Sequence, residues 1–127
     1  MQTGRILRNQ PKKVKTMTEL LKKQQRFTVM TAYLIKVLTL EGYGITFGEA
    51  WRTPEQAEIN AKKGIGIKNS LHIDRLAIDL NLFADGVWLK DPDSYKTAGE
   101  LWESLGGTWG GRFGDANHFS LAHDGRK

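Results

Sequence analysis

The segment "LAIDLNLF", residues 76–83, alternates strictly, with Leu76, Ile78, Leu80 and Leu82 on one side and Ala77, Asp79, Asn81 and Phe83 on the other. Successive side chains of a strand point to opposite faces, so this pattern predicts a strand with one wholly aliphatic face turned to a core. Asp79 sharpens the constraint. A carboxylate in such a segment is costly to bury unless it meets a cation or a metal. The chain must build a sheet around this strand and supply Asp79 with a positive partner.

Helices are predicted on either side. From Thr18 to about Glu41, Leu20, Phe27 and Leu34 recur at seven, and Leu21, Met30, Val37 and Leu38 broaden the same face. Gly42 and Gly44 end that helix, and "GITFGEAWR" at 44–52 reads as a short strand. Thr53 as N-cap, Pro54 in the first turn and Gln56 three residues after the cap open a second helix running to about Lys63. Asp85-Gly86 predicts a turn into another strand, Asp93 or Ser94 opens a third helix, and Gly106-Gly107 closes it. "TWGGRFGDAN" reads as an irregular glycine-rich loop and "HFSLA" as a closing strand. The expected fold is α+β, a small antiparallel sheet with surrounding helices in one compact domain at 17–127.

Of the nineteen cations, five (Arg5, Arg8, Lys12, Lys13 and Lys15) fall in residues 1–16, where there is no acid. The remaining fourteen match the fourteen acids, so the net charge of +5 belongs to a basic N-terminal extension rather than to a binding face. That extension reads as flexible and solvated, with contact to anionic wall polymers or nucleic acid as the other reading. Met17 leaves open a start downstream of it. No apolar stretch approaches the roughly 20 residues of a membrane span, and no signal-like apolar run follows the basic start. There are no cysteines, so any metal site must use His, Asp or Glu.

His72 stands seven residues before Asp79, an odd spacing that puts the two on opposite faces of a continuous strand. A turn at 73–75 lets both reach one point, and His118 supplies a third donor from the next edge of the sheet. Two imidazoles and one carboxylate suit Zn²⁺, and three protein ligands leave a position for chemistry. Asp115, three residues before His118, reads either as a base beside the metal or as a turn residue before Asn117. His123 reads as a solvated residue, and Trp88, Trp102 and Trp109 as packing rather than sugar platforms.

In this order, Ser70, His72 and Asp79 followed by Asp115, His118 and Phe119 resemble the motifs of the VanY-type zinc D-Ala-D-Ala carboxypeptidase/dipeptidase family. The likeness runs from about residue 18 to 121 and is nearest to that family's small phage L-alanyl-D-glutamate peptidase endolysins. "WRTPEQ" resembles its arginine segment and "GTWGGRF" its glycine-tryptophan loop. The resemblance implies zinc held by His72, Asp79 and His118, with Asp115 as general base where many relatives carry Glu. It implies Arg52 stabilising an oxyanion or holding a substrate carboxylate, and Ser70, Gln56 and Trp109 contacting substrate. The family carries glycine at the position of Arg75, so a different local turn is expected here.

The implied function is that of an endolysin hydrolysing peptidoglycan stem peptides. It would be made in a host cytoplasm, carried to the wall through a pore-forming (holin) partner and act as a monomer, without membrane insertion. A D-Ala-D-Ala carboxypeptidase, a wall-binding zinc protein without catalysis, and a nucleic-acid-binding protein using the tail are the rivals. The neutral body and the lack of interleaved basic and aromatic residues speak against the last.

Overall fold

A computed structural model describes residues 17–65 and 69–127, so the basic extension lies outside the described residues. Helix α1 spans Glu19–Leu40, and strand β1 spans Gly44–Phe47. Helix α2 (Pro54–Lys62) leads to β2 (Ala77–Ala84), which turns into β3 (Val87–Trp88). A 3₁₀ turn at Pro92–Tyr95 runs into α3 (Lys96–Ser104), followed by β4 (Thr108–Trp109), a second 3₁₀ turn (Gly110–Phe113) and β5 (His118–Ser120). The sheet is antiparallel in the order β1-β2-β5-β4, with β3 also on β2. The α+β architecture read from the sequence is the one observed. No helix among the described residues is long and apolar enough to cross a membrane.

The element starts follow side-chain chemistry. Thr18 caps α1 by accepting the Leu21 N–H at 3.1 Å, and Thr53 caps α2 by accepting the Gln56 N–H at 3.0 Å. The helix expected to open at Asp93 or Ser94 is instead capped by Asp91, which accepts from Ser94, and begins as a 3₁₀ turn at Pro92. Pro92 suits the first turn because it has no N–H to leave unpaired. The loop expected at 108–117 contains β4 and a 3₁₀ turn, since Trp109 pairs with Phe119 across the sheet.

The core lies between α1, α3 and the aliphatic face of β2. Phe27, Met30, Leu34 and Leu38 are buried on α1, whereas Leu21, expected on the same face, is exposed. Leu76, Leu80 and Leu82 are fully buried. At the centre sits Trp102 of α3, edge-on to Phe27 at 5.6 Å and to Phe119 at 5.9 Å between ring centroids. Its Nε1 donates to the Ser120 carbonyl at 2.9 Å, tying α3 to β5. Trp88 does not join this packing; it is half exposed, with the Lys90 ammonium 4.7 Å from its ring.

The sheet is irregular where β1 ends. Beyond Phe47 the Gly48 N–H donates to the Asp79 carbonyl at 2.8 Å, and the Asp79 N–H donates to the Glu49 carbonyl at 2.9 Å. Two residues thus answer one, the pattern of a β-bulge, and the strand expected to run to Arg52 ends early for this reason. A side chain at 48 would place its Cβ 2.9 Å from that of Asp79, so only glycine lets the two chains approach this closely.

Trp102→Phe keeps much of the ring but removes the indole N–H that bonds the buried Ser120 carbonyl. Urea unfolding followed by far-UV circular dichroism is expected to show a loss of about 2 kcal/mol. A variant as stable as the parent would mean that the indole bond does not secure the core.

Candidate metal centre

The pairing of β2 with β5 sets Asp79 directly opposite His118, on the face away from the core. His72 arrives from the turn at 71–75. Ser70 Oγ accepts the His72 N–H at 3.2 Å, and the Leu76 N–H donates to the Leu71 carbonyl at 3.0 Å. That turn is tied down from three sides. Gln24 of α1 donates to the Asp74 carbonyl at 2.8 Å, Trp51 Nε1 to the Ile73 carbonyl at 3.0 Å, and Arg126 pairs with the Asp74 carboxylate at 2.6 Å.

Arg75 closes the turn at φ 56°, the left-handed conformation that glycine enters most readily. An arginine holds a turn glycine could make, with its guanidinium stacked over Trp51 at 4.5 Å.

Three donor atoms converge. His72 Nε2 lies 3.4 Å from Asp79 Oδ1, and His118 Nδ1 lies 3.5 Å from the same oxygen. Two ligands about 2.0–2.1 Å from a tetrahedral ion stand roughly 3.3–3.4 Å apart, so these separations are those of a zinc shell rather than of short hydrogen bonds. Asp79 Oδ1 is buried without a hydrogen-bond partner. A buried acceptor flanked by two imidazoles is what a cation between them would satisfy. The three residues, each offering one atom within 4.8 Å of the others, fit a divalent metal with two nitrogen donors and one oxygen donor.

Burial pushes the Asp79 carboxyl up, but the imidazoles of His118 and His72 beside it outweigh that and hold the pKa at about 2.

The site floors an open cleft of about 340 Å³, which Arg52, Ser70, Asp115 and His118 also line. Asp115 is more than half exposed, and its Oδ2 stands 3.8 Å from His118 Nδ1, near the three donors but outside their group. The 3₁₀ turn and loop that carry it are fixed by the Asp115 N–H to the Gly110 carbonyl at 2.8 Å and the His118 N–H to the Asp115 carbonyl at 3.1 Å. A Cβ at Gly110 would lie 2.2 Å from the Asp115 carbonyl oxygen, so this loop needs glycine there.

Arg52 reaches the cleft with a side chain only 14% exposed and forms an ion pair with Glu49. Glu49 itself escapes sequence reading, because a solvated acid beside Arg52 and an acid aimed at His72 look the same in one dimension. Phe113, Ile65 and Lys127 at the cleft rim escape it as well.

Two expected substrate contacts are not where they were placed. Trp109 is buried, 4% exposed, and its Nε1 donates to the Ala116 carbonyl at 2.7 Å, so it braces the loop from below. Gln56 faces out from α2, its amide bonded to Asn60 Oδ1 at 2.7 Å, and does not line the cleft. His123, expected to be solvated, is largely covered, with Nδ1 3.1 Å from Lys23 Nζ of α1.

The same segment of the chain is the one that known proteins share. A family model described as D-alanyl-D-alanine carboxypeptidase matches residues 64–121, which include His72, Asp79, Asp115 and His118. The resemblance read from the sequence is thereby borne out. Among solved structures, the L-Ala D-Glu endopeptidase ChiX of Serratia marcescens is similar, with a TM-score of 0.61 and 17% sequence identity over 90% of this chain and 94% of that one. The two share a fold. No curated protein sequence matches the chain.

The depressed pKa of Asp79 has a definite sign. Its folded value lies below the unfolded one, so the stability it contributes is present above about pH 4 and is lost as pH falls toward about 2. In metal-free protein, urea midpoints measured between those limits are expected to drop by the equivalent of about 2 kcal/mol. Asp79→Asn should flatten that part of the profile; an unchanged slope would assign the acid sensitivity elsewhere.

Proposed function

We propose that this chain, whose residues 64–121 match a family model described as D-alanyl-D-alanine carboxypeptidase, is a zinc-dependent endopeptidase that hydrolyses peptidoglycan stem peptides. The observation that carries this reading is the convergence of His72, Asp79 and His118 on one point, with Asp115 beside them in the open cleft. A zinc ion held by these three residues would supply Lewis acidity toward an amide carbonyl and would acidify a water molecule.

The chain's own groups divide the remaining work. Asp115 is exposed to the cleft and stands outside the donor group, so its carboxylate is free to take a proton and pass it to the departing amine. Arg52 presents a guanidinium held in place by Glu49, suited to a substrate carboxylate or to developing negative charge on a carbonyl oxygen. Ser70 shapes the turn beneath His72.

The L-alanyl–D-glutamate bond is the proposed target, supported by the fold shared with an enzyme of that specificity. The family match favours the alternative, a D-Ala-D-Ala carboxypeptidase. In the endolysin reading the protein acts alone at the wall, reaching it through a pore-forming partner, and its role is host lysis.

Mass spectrometry of diaminopimelate-type peptidoglycan, digested with zinc and again with a chelator, tests the reading. A metal-dependent new amino terminus on D-glutamate is expected, whereas release of terminal D-alanine alone would move the assignment to the carboxypeptidase. Zinc bound without any new terminus on several wall types would leave a binding protein.

The roles of the residues separate in the same assay. His118→Ala is expected to lose both zinc and activity. Asp115→Asn should keep zinc and lose activity by about 10²- to 10⁴-fold. Full turnover by Asp115→Asn would return that residue to a turn-forming role.

A further inference from the structure

The bulge at Gly48 and Glu49 aims an acidic side chain at the back of the metal centre. Glu49 Oε1 is buried, and its neighbours are Arg52 Nη2, with which it forms an ion pair, and His72 Nδ1 at 3.6 Å. His72 Nδ1 is itself buried and has no hydrogen-bond partner. Nδ1 and Oε1 thus face each other across a gap slightly longer than a hydrogen bond, and of the two only Nδ1 is without a polar partner. Glu49 is still about one-third exposed and has room to close it.

The tautomer of His72 follows from which nitrogen faces the donors. A neutral imidazole carries one proton, on one nitrogen or the other. Nε2 is the nitrogen turned toward Asp79, so a metal ligand role leaves the proton on Nδ1. That N–H needs an acceptor, because a buried donor left unpaired is destabilising. His118 uses its ring the other way, turning Nδ1 toward Asp79.

We propose that Glu49 is a positioning residue of the metal centre. Its carboxylate accepts the Nδ1–H of His72, fixing the ring with Nε2 bare toward the ion, and the same oxygen anchors Arg52 at the cleft. The backbone supports both contacts. The Glu49 carbonyl accepts from the Asp79 N–H at 2.9 Å, and the Arg52 N–H donates to the His72 carbonyl at 3.3 Å. One short segment, 48–52, is thus bonded through its main chain to two of the three donors. The inference rests on the metal-centre part of the proposed function and not on the bond cleaved.

Zinc affinity, measured on the full chain by competition with a chromophoric chelator, is the test. It is paired with ¹⁵N NMR of His72 in the zinc-loaded protein. Glu49→Ala is expected to weaken zinc binding about 10- to 100-fold and to remove the shift signature of a hydrogen-bonded Nδ1–H. Glu49→Gln keeps an acceptor oxygen and should stay nearer the parent in both readouts. Far-UV circular dichroism of the metal-free variants establishes folding. Should Glu49→Ala not fold, Glu49→Asp, which withdraws the oxygen by one methylene, must weaken zinc in the same direction. Folded variants with parental affinity and an unchanged His72 signal would overturn the proposal. Neither readout involves substrate, so failure to cleave peptidoglycan would leave this inference standing, and its failure would leave the cleavage result intact.

Discussion

The structure turns on a carboxylate placed where an aliphatic strand would otherwise continue. Asp79 sits mid-strand on β2, cross-strand from His118, with its inner oxygen buried and without a hydrogen-bond partner. Such a group is destabilising unless a cation completes it, and its neighbours are arranged for that. β5 delivers one imidazole by register, the turn at 71–75 delivers the other, and the bulge at Gly48 brings an acid behind it. The rigid side of the sheet supports this arrangement from the opposite face. Ile78 and Phe119 pair across the same two strands and point into the core, so the packing that orders the core also sets the donor geometry.

Much of this was legible in the sequence because periodicity encodes faces. The alternation at 76–83 placed Asp79 away from the core, and the odd spacing to His72 required the turn that is found. Helix limits were legible from Thr18, Thr53 and Pro54, whose side-chain chemistry is local. What escaped reading depends on contacts remote in sequence. The bulge arises where Gly48 meets Asp79, and no local signal distinguishes it from a strand that continues to Arg52. Trp109 carries the same composition whether it faces a cleft or braces a loop; the choice is made by Gly99 and Gly111, which leave room for its ring. Gln56 stands three residues after a cap, and that local position left open which way its side chain faces.

The loop bearing Asp115 shows how a glycine-rich stretch can be rigid. Trp109 fills the space beneath it and bonds to Ala116, and Arg112 lies 5.1 Å over the indole while pairing through two nitrogens with Glu103 of α3. Gly110 permits the close approach to Asp115 and His118. The exposed carboxylate of Asp115 therefore stands on a fixed base, which is what a proton acceptor needs if its distance to a reacting group is to be set by the protein and not by chance.

Arg75 shows how the turn and the bulge are joined. A residue with a Cβ in the left-handed region is disfavoured by about 1 kcal/mol, and here it closes the turn that presents His72. Its guanidinium stacks on Trp51, an interaction of about the same size at an exposed site, and Trp51 also donates to the Ile73 carbonyl. Trp51 lies between Glu49 and Arg52 in the segment after the bulge. Strain in the turn is thus offset by contacts from the segment that orients His72 and holds the cleft arginine. Glycine at 75 would relieve the strain but release that tie. The arginine makes the turn's conformation depend on the bulge being formed, which couples the position of His72 to the position of Glu49 behind it.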